Sequence, residues 1–182
     1  MGLTDALQPF TLRREVDQSG MKWIAADQKA ERSVFSGVYQ HQIDAKGRTS
    51  LPSSFRDVLA GRGDDKIFVT VDLFEPCLQA YAPADWLALT DKIAAMPQLA
   101  EKTRALVRLM IAPAHECTFD KLGRILLPPQ LREHAGLTEH AVWAGSVKRI
   151  EIWTPAGWKK VQEHVRSAAM QEQLKQELQS LL

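Results

Sequence analysis

The feature that most constrains this chain is an internal duplication. Asp44-Ala45-Lys46-Gly47-Arg48-Thr49-Ser50-Leu51-Pro52-Ser53-Ser54-Phe55-Arg56-Asp57 aligns without gaps on Asp120-Lys121-Leu122-Gly123-Arg124-Ile125-Leu126-Leu127-Pro128-Pro129-Gln130-Leu131-Arg132-Glu133, with identities at Asp, Gly, Arg, Leu, Pro and Arg. A second block, Leu78 to Trp86, aligns on Ile150 to Trp158, with four residues fewer between the blocks in the second copy. Duplication in a fixed frame means that whatever one copy folds into, the other folds into as well.

Each copy reads as strand, turn, strand, short helix. Phe35 to Ile43 and Glu116 to Phe119 are β-rich runs that stop at Asp-x-x-Gly-Arg. Arg48 to Leu51 and Arg124 to Leu127 resume the strand, which predicts a hairpin in each copy, with Gly supplying the turn conformation. Pro52 and Pro128 open short helices through Phe55 to Leu59 and Leu131 to His134, ended by Gly61 and Gly136. A second strand pair follows in each copy, Ile67 to Val71 with Leu78 to Tyr81 and Ala141 to Trp143 with Ile150 to Trp153. Pro83 and Pro155 then open longer helices. In copy one Trp86, Leu89, Ile93 and Met96 form a helical stripe, and after Pro97 a second helix is expected to carry Leu99, Leu106, Leu109 and Met110. In copy two a single amphipathic helix runs from Trp158 through Val165, Leu174, Leu178 and Leu181.

Composition narrows the function classes. The 182 residues are 45% hydrophobic and 25% charged, the profile of an ordinary globular protein of one or two small domains. Lys and Arg number 23 against 22 Asp and Glu, a net charge of +1, which excludes the globally basic build of many nucleic-acid binders. Any polyanion must be met by a local patch. No stretch reaches the roughly 18 consecutive apolar residues of a membrane span, so no membrane association is expected. Cys77 and Cys117 stand alone, indicating neither a disulfide framework nor a zinc site, and a reducing cytoplasm is expected. Residues 1–33 carry five basic and five acidic side chains with scattered apolar positions, and read as a flexible extension rather than a secretory signal. The division expected is therefore 1–33 extension, 34–112 first repeat with its helices, 113–160 second repeat, and 161–182 C-terminal amphipathic helix.

Phe35-x-Gly37 followed by the duplicated Asp-x-x-Gly-Arg frame resembles the MraZ family, whose hallmark is a repeated Asp-x-x-x-Arg motif, and the resemblance covers about residues 34 to 160. It implies an α+β fold, a double split β-barrel made from two AbrB-like swapped-hairpin repeats with flanking helices. It implies ring-shaped homo-oligomers without a cofactor. It also implies a cytoplasmic, nucleoid-associated transcription factor that binds direct repeats in double-stranded DNA upstream of the bacterial division and cell-wall gene cluster, usually as a repressor. Carried over by position, the DNA-contacting arginine of the first motif falls on Arg48, with Lys46 in the same turn; Arg124 and Lys121 belong to the second. Leu122 stands where copy one has Lys46, so the copies should contact DNA unequally.

The residues themselves support two readings of the motif. An arginine at a hairpin tip is suited to guanine or phosphate, beside a lysine that neutralises a second phosphate. Equally, Asp44 and Asp120 suit turn N–H groups, with Arg48 and Arg124 paired back onto them and Gly47 and Gly123 permitting the turn, which makes the motif a structural lock. For the aspartates the structural role is expected, and for Arg48 the family resemblance favours DNA. Arg56 and Arg132 sit one turn along the short helices, within reach of phosphates, but read better as a solvated face or as ion pairs to Asp57 and Glu133. His115-Glu116-Cys117 lies on a strand whose side chains alternate faces, so no metal site is expected. Trp86, Trp143, Trp153 and Trp158 recur at core positions, so burial explains them better than base stacking. No phosphate loop, nucleophile elbow or paired catalytic carboxylates appear, and no enzyme is expected. The rival reading is a protein-interaction or antitoxin-like module that docks a partner on the stripe from Trp158 to Leu181.

Overall fold

The computed structural model describes residues 12–17, 20–25 and 34–181, which fall in two units, Met1–Ser33 and Val34–Leu182. In the first unit, β1 (Leu12–Asp17) and β2 (Gly20–Ala25) pair antiparallel, from Leu12 opposite Ala25 to Asp17 opposite Gly20. The sequence suggested no strand in this stretch. The rest of the expected extension lies outside the described residues.

The second unit is α+β. In the first copy come β3 (Val38–Gln42), β4 (Arg48–Ser50), α1 (Ser53–Gly61), β5 (Lys66–Val71), β6 (Leu78–Tyr81), α2 (Pro83–Ala94) and α3 (Glu101–Leu106), followed by a π-helical turn at Val107–Ile111. The second copy supplies β7 (His115–Thr118), β8 (Arg124–Leu126), α4 (Pro129–His134), β9 (His140–Ser146), β10 (Arg149–Trp153), α5 (Pro155–Val165) and α6 (Ala168–Leu181). All strand pairing is antiparallel: a six-stranded sheet in the order β3-β9-β10-β6-β5-β7 and a separate ribbon, β4-β8.

The simple hairpins expected around each Asp-x-x-Gly-Arg turn do not form beyond the turn itself. Past the single bridge between Ile43 and Thr49 the arms of the first turn part, β3 joining β9 and β4 joining β8. In the second copy β7 joins β5. Backbone N–H and C=O groups near a core must find partners, and strands of three residues find a ladder in the other copy while burying Ile43, Thr49, Leu51, Ile125 and Leu127 between them. Each repeat thus completes the other.

The pairing registers place an approximate two-fold axis. On the ribbon Thr49 lies opposite Ile125, its own counterpart in the repeat, and in the large sheet Gln79 lies opposite Glu151, again its counterpart. One core follows from this symmetry, uniting Phe35, Phe55 and Leu59 of copy one with Leu131, Trp143 and Ile150 of copy two. Phe35 and Tyr39 meet the Phe55 ring edge-on at 5.7 and 5.3 Å. The opposite sheet face is covered by helices through aromatic contacts: Trp86 of α2 stacks on Phe68 at 5.6 Å, and Trp158 of α5 lies 6.3 Å from Trp153. Trp86, Trp143 and Trp153 are buried and Trp158 half-buried, as their repeat positions predict.

Two helical expectations need correction. The helix after Pro97 begins only at Glu101, leaving Leu99 outside it and exposed, and passes into the π turn, where the Thr70 hydroxyl donates to the Met110 carbonyl and holds Met110 in the core. The C-terminal helix is two helices. Ser167 separates them, its hydroxyl accepting from Met170 N while Gln171 Nε2 donates to the Val165 carbonyl at 2.7 Å.

Candidate nucleic-acid interface

The two motif turns are built alike, atom by atom. In the first, the Asp44 carbonyl accepts from Gly47 N at 2.8 Å and Asp44 N donates back to the Arg48 carbonyl at 2.8 Å. The Asp44 carboxylate completes the loop: Oδ1 accepts from Lys46 N and Arg48 N, each at 2.9 Å, and Oδ2 from Arg48 Nε at 2.7 Å, with Arg48 Nη2 also 2.7 Å away. The second turn repeats the pattern, with Asp120 Oδ1 on Leu122 N at 2.9 Å and Arg124 N at 3.0 Å, and Oδ2 on Arg124 Nε at 2.8 Å and Nη2 at 2.7 Å. These bonds stabilise the charged carboxylates and hold both aspartates well below their ordinary value, at about 2. Backbone N–H groups and the Arg48 side chain are the main cause at Asp44, and the Arg124 side chain leads at Asp120.

Gly47 and Gly123 occupy the left-handed region, at φ +82° and +70°. A second constraint acts on both. A Cβ at Gly47 would lie 2.8 Å from Arg132 Nε, and one at Gly123 would overlap the guanidinium of Arg56. Neither arginine forms the neighbouring ion pair expected of it. Arg56 Nη1 donates to the Leu122 carbonyl at 3.3 Å, and Arg132 Nε to the Leu127 carbonyl at 3.1 Å. The signal was present in the sequence, since Arg56 and Arg132 are identities of the repeat, but nothing there said that each reaches the turn of the opposite copy.

The ribbon register decides which side chains share a surface. With Thr49 opposite Ile125 and both buried, Arg48 and Ser50 of β4 stand on the same outer face as Arg124 and Leu126 of β8. The side chains of Arg48 and Arg124 are 35% and 28% exposed, so each guanidinium is braced but accessible. The motifs adjoin closely enough for Arg124 Nη1 to lie 3.9 Å from Asp44 Oδ2. Both arginines line one open depression of about 330 Å³ beside Gln42, Asp44, Ser50, Glu139 and His140. Lys46 and Lys121 are exposed on their turns, and Leu122 stands bare in the place corresponding to Lys46. The ribbon thus brings Arg48 and Arg124 onto one face, while Lys46 and Lys121 are exposed on the two turns and Arg56 and Arg132 lie over the turn glycines. His41, half-buried, is held below its ordinary value by burial and by the positive charge of Arg56.

Residues outside this surface have partners of their own. His115 Nδ1 lies 2.8 Å from the Pro113 carbonyl, Glu116 pairs with Lys66 at 2.9 Å, and Cys117 is buried, its thiol pushed up to about 11 chiefly by desolvation. Cys77 is buried and unpaired, its thiol also pushed up. Among the described residues no helix is long and apolar enough to cross a membrane.

Comparison with known proteins agrees with the duplication. The family model of the antitoxin-like MraZ protein matches the chain twice, over residues 34–109 and 110–181. A transcriptional regulator MraZ of Alkalilimnicola ehrlichii is 38% identical over 148 residues, covering 81% of this chain and 99% of the relative. Proteins of the same name from Geobacter metallireducens and Azotobacter vinelandii are 40% and 38% identical over 141 and 125 residues, covering 72% and 69% of this chain and 89% and 82% of their own lengths.

Proposed function

This chain belongs to the MraZ family, and on that premise we propose that it is a transcriptional regulator that binds double-stranded DNA through the outer face of the β4-β8 ribbon. The observation that carries this reading is the placement of Arg48 and Arg124 on one accessible surface, with Lys46 and Lys121 exposed on the motif turns, in a chain whose net charge is only +1. The names of the relatives support the regulatory role.

The lock and the contact are one device. Arg48 spends Nε and one N–H of Nη2 on Asp44, which leaves the remaining guanidinium donors for a phosphate or for the O6 and N7 atoms of guanine. A side chain already held in place loses less rotamer freedom on binding. Asp44 and Asp120 therefore orient the reading groups, and Lys46 and Lys121 neutralise phosphates. Lys121 in the place of Ala45 and Leu122 in the place of Lys46 move the lysine by one position in the second turn, so the two turns meet DNA differently. The crossed pairing of β3 with β9, β7 with β5, and β4 with β8 supports assignment of the second unit to a double split barrel of swapped AbrB-like hairpins. The full reading is a repressor that forms ring-shaped homo-oligomers on direct repeats upstream of the division and cell-wall genes, within the nucleoid.

Arg48→Ala tests the site. Binding to duplex from upstream of the chain's own gene should disappear at moderate salt in a gel shift, with the elution volume of the protein unchanged. Binding that survives would remove Arg48 from the interface. The rival, a partner-docking module, draws on the exposure of Leu174, Leu178 and Leu181 along α6. It predicts no shift of that duplex by the wild-type chain.

A further inference from the structure

From the crossed placement of two helical arginines we infer that Arg56 and Arg132 are positioning residues, each setting the DNA-facing turn of the opposite repeat, so that the two turns are presented as one unit. The inference rests on the DNA-binding reading of the turns and adds residues that the motif does not contain.

Arg56 belongs to α1 of the first copy, yet its guanidinium lies over Gly123 and donates to the Leu122 carbonyl in the second turn. Arg132 belongs to α4 of the second copy, yet it lies over Gly47 in the first turn while donating to the Leu127 carbonyl. The backbone is crossed in the same sense: Leu127 N donates to the Gly47 carbonyl at 3.0 Å, and Leu51 N to the Gly123 carbonyl at 3.1 Å. Each turn glycine is therefore held on its carbonyl and on its open Cα face by groups from the other copy. Both glycines are buried by this, whereas the turn residues before them, Ala45 and Lys46 or Lys121 and Leu122, project outward. Among the described side chains, the carboxylate inside each motif fixes the shape of its turn, and the arginine from the other copy fixes how that turn is seated on the ribbon. A turn that loses its seat presents its own lysine and arginine in the wrong place, whatever the other turn does.

A crossed set of variants tests this by operator affinity, at a salt concentration low enough for weakened proteins to bind measurably. Alone, Arg132→Ala should weaken binding about tenfold, with the slope of affinity against salt unchanged because no phosphate contact is lost. In a Lys46→Ala/Arg48→Ala background, where the first turn no longer contributes, Arg132→Ala should add no further loss; in a Lys121→Ala/Arg124→Ala background it should add its full loss. Arg56→Ala should show the reverse dependence. Full loss in both backgrounds, coupling to the arginine's own repeat, an unchanged affinity, or a salt slope lowered by about one per arginine removed would each overturn the assignment. Arg132→Met and Arg56→Met, which keep the apolar stem over the glycine, serve if the alanine variants unfold. Failure of the wild-type chain to bind duplex would overturn the DNA reading itself, whereas wild-type binding with an uncrossed pattern would overturn the positioning role alone.

Discussion

At the scale of single residues, the motif aspartates connect folding to pH. Their carboxyls sit at about 2 instead of the ordinary 3.8, because turn N–H groups and an arginine favour the charged form. A depressed carboxylate contributes stability that is fully present above its ordinary value and is lost as pH falls through the folded one. The window is thus pH 4 to 2. The urea midpoint of the wild-type chain should fall faster over that range than that of an Asp44→Asn/Asp120→Asn variant, with little divergence in pH dependence above pH 5. Parallel acid profiles would show that the pairs orient the arginines without stabilising the fold. His41 adds a smaller change in the same direction from about pH 6.5 downward, since burial and Arg56 disfavour its cation.

At the scale of elements, the β4-β8 ribbon shows how the repeat diverged without losing its frame. Thr49 and Ile125 face each other on the pseudo-two-fold axis, both 1% exposed, and the Thr49 hydroxyl has no hydrogen-bond partner among the described residues. A buried hydroxyl without a partner is destabilising. Thr49→Val fills nearly the same volume and approaches the residue type that copy two already uses, so it should raise stability by about 1 kcal/mol. Thermal unfolding measures this, and a lower midpoint would mean that the hydroxyl is satisfied in solution. The side chain faces away from Arg48, so affinity for DNA should not change. The helices show the converse, since the stripes of α2 and α5 were readable through Trp86 and Trp158, but the π turn at Val107–Ile111 depends on Thr70, a residue of a distant strand.

At the scale of the whole molecule, the balance of 23 basic and 22 acidic residues sets the problem that the proposed DNA-bound assembly would have to solve. On that proposal one ribbon offers few phosphate contacts, each giving a modest gain that counterions oppose. Several identical ribbons on one duplex raise the effective concentration for every later contact without adding a new kind of contact. Affinity of the assembled protein should therefore fall steeply and linearly on a log-log plot against salt, with a slope of about −0.9 per phosphate neutralised. Filter binding between 50 and 200 mM salt, concentrations of order 0.1 M, measures it. A flat titration would contradict a multi-subunit electrostatic grip.

The amino-acid order alone determined the duplicated frame, the strand-turn-strand-helix order of each copy, the Asp-x-x-Gly-Arg turns with their carboxylate caps, and the burial of Trp86, Trp143 and Trp153. These are local effects: a short polar side chain bonds the N–H groups two and four residues on, proline and glycine restrict their own dihedrals, and apolar periodicity reports one face. Only the tertiary structure decided that the arms of each turn part company, that Arg48 and Arg124 share a surface, and that Arg56 and Arg132 cross to the opposite turn. Strand pairing between the copies is a long-range choice between equivalent partners, because β4 has the same backbone donors to offer β3 or β8. What tips it is the burial of Ile43, Thr49, Leu51, Ile125 and Leu127 in one shared core, a quantity that exists only when both repeats are folded together.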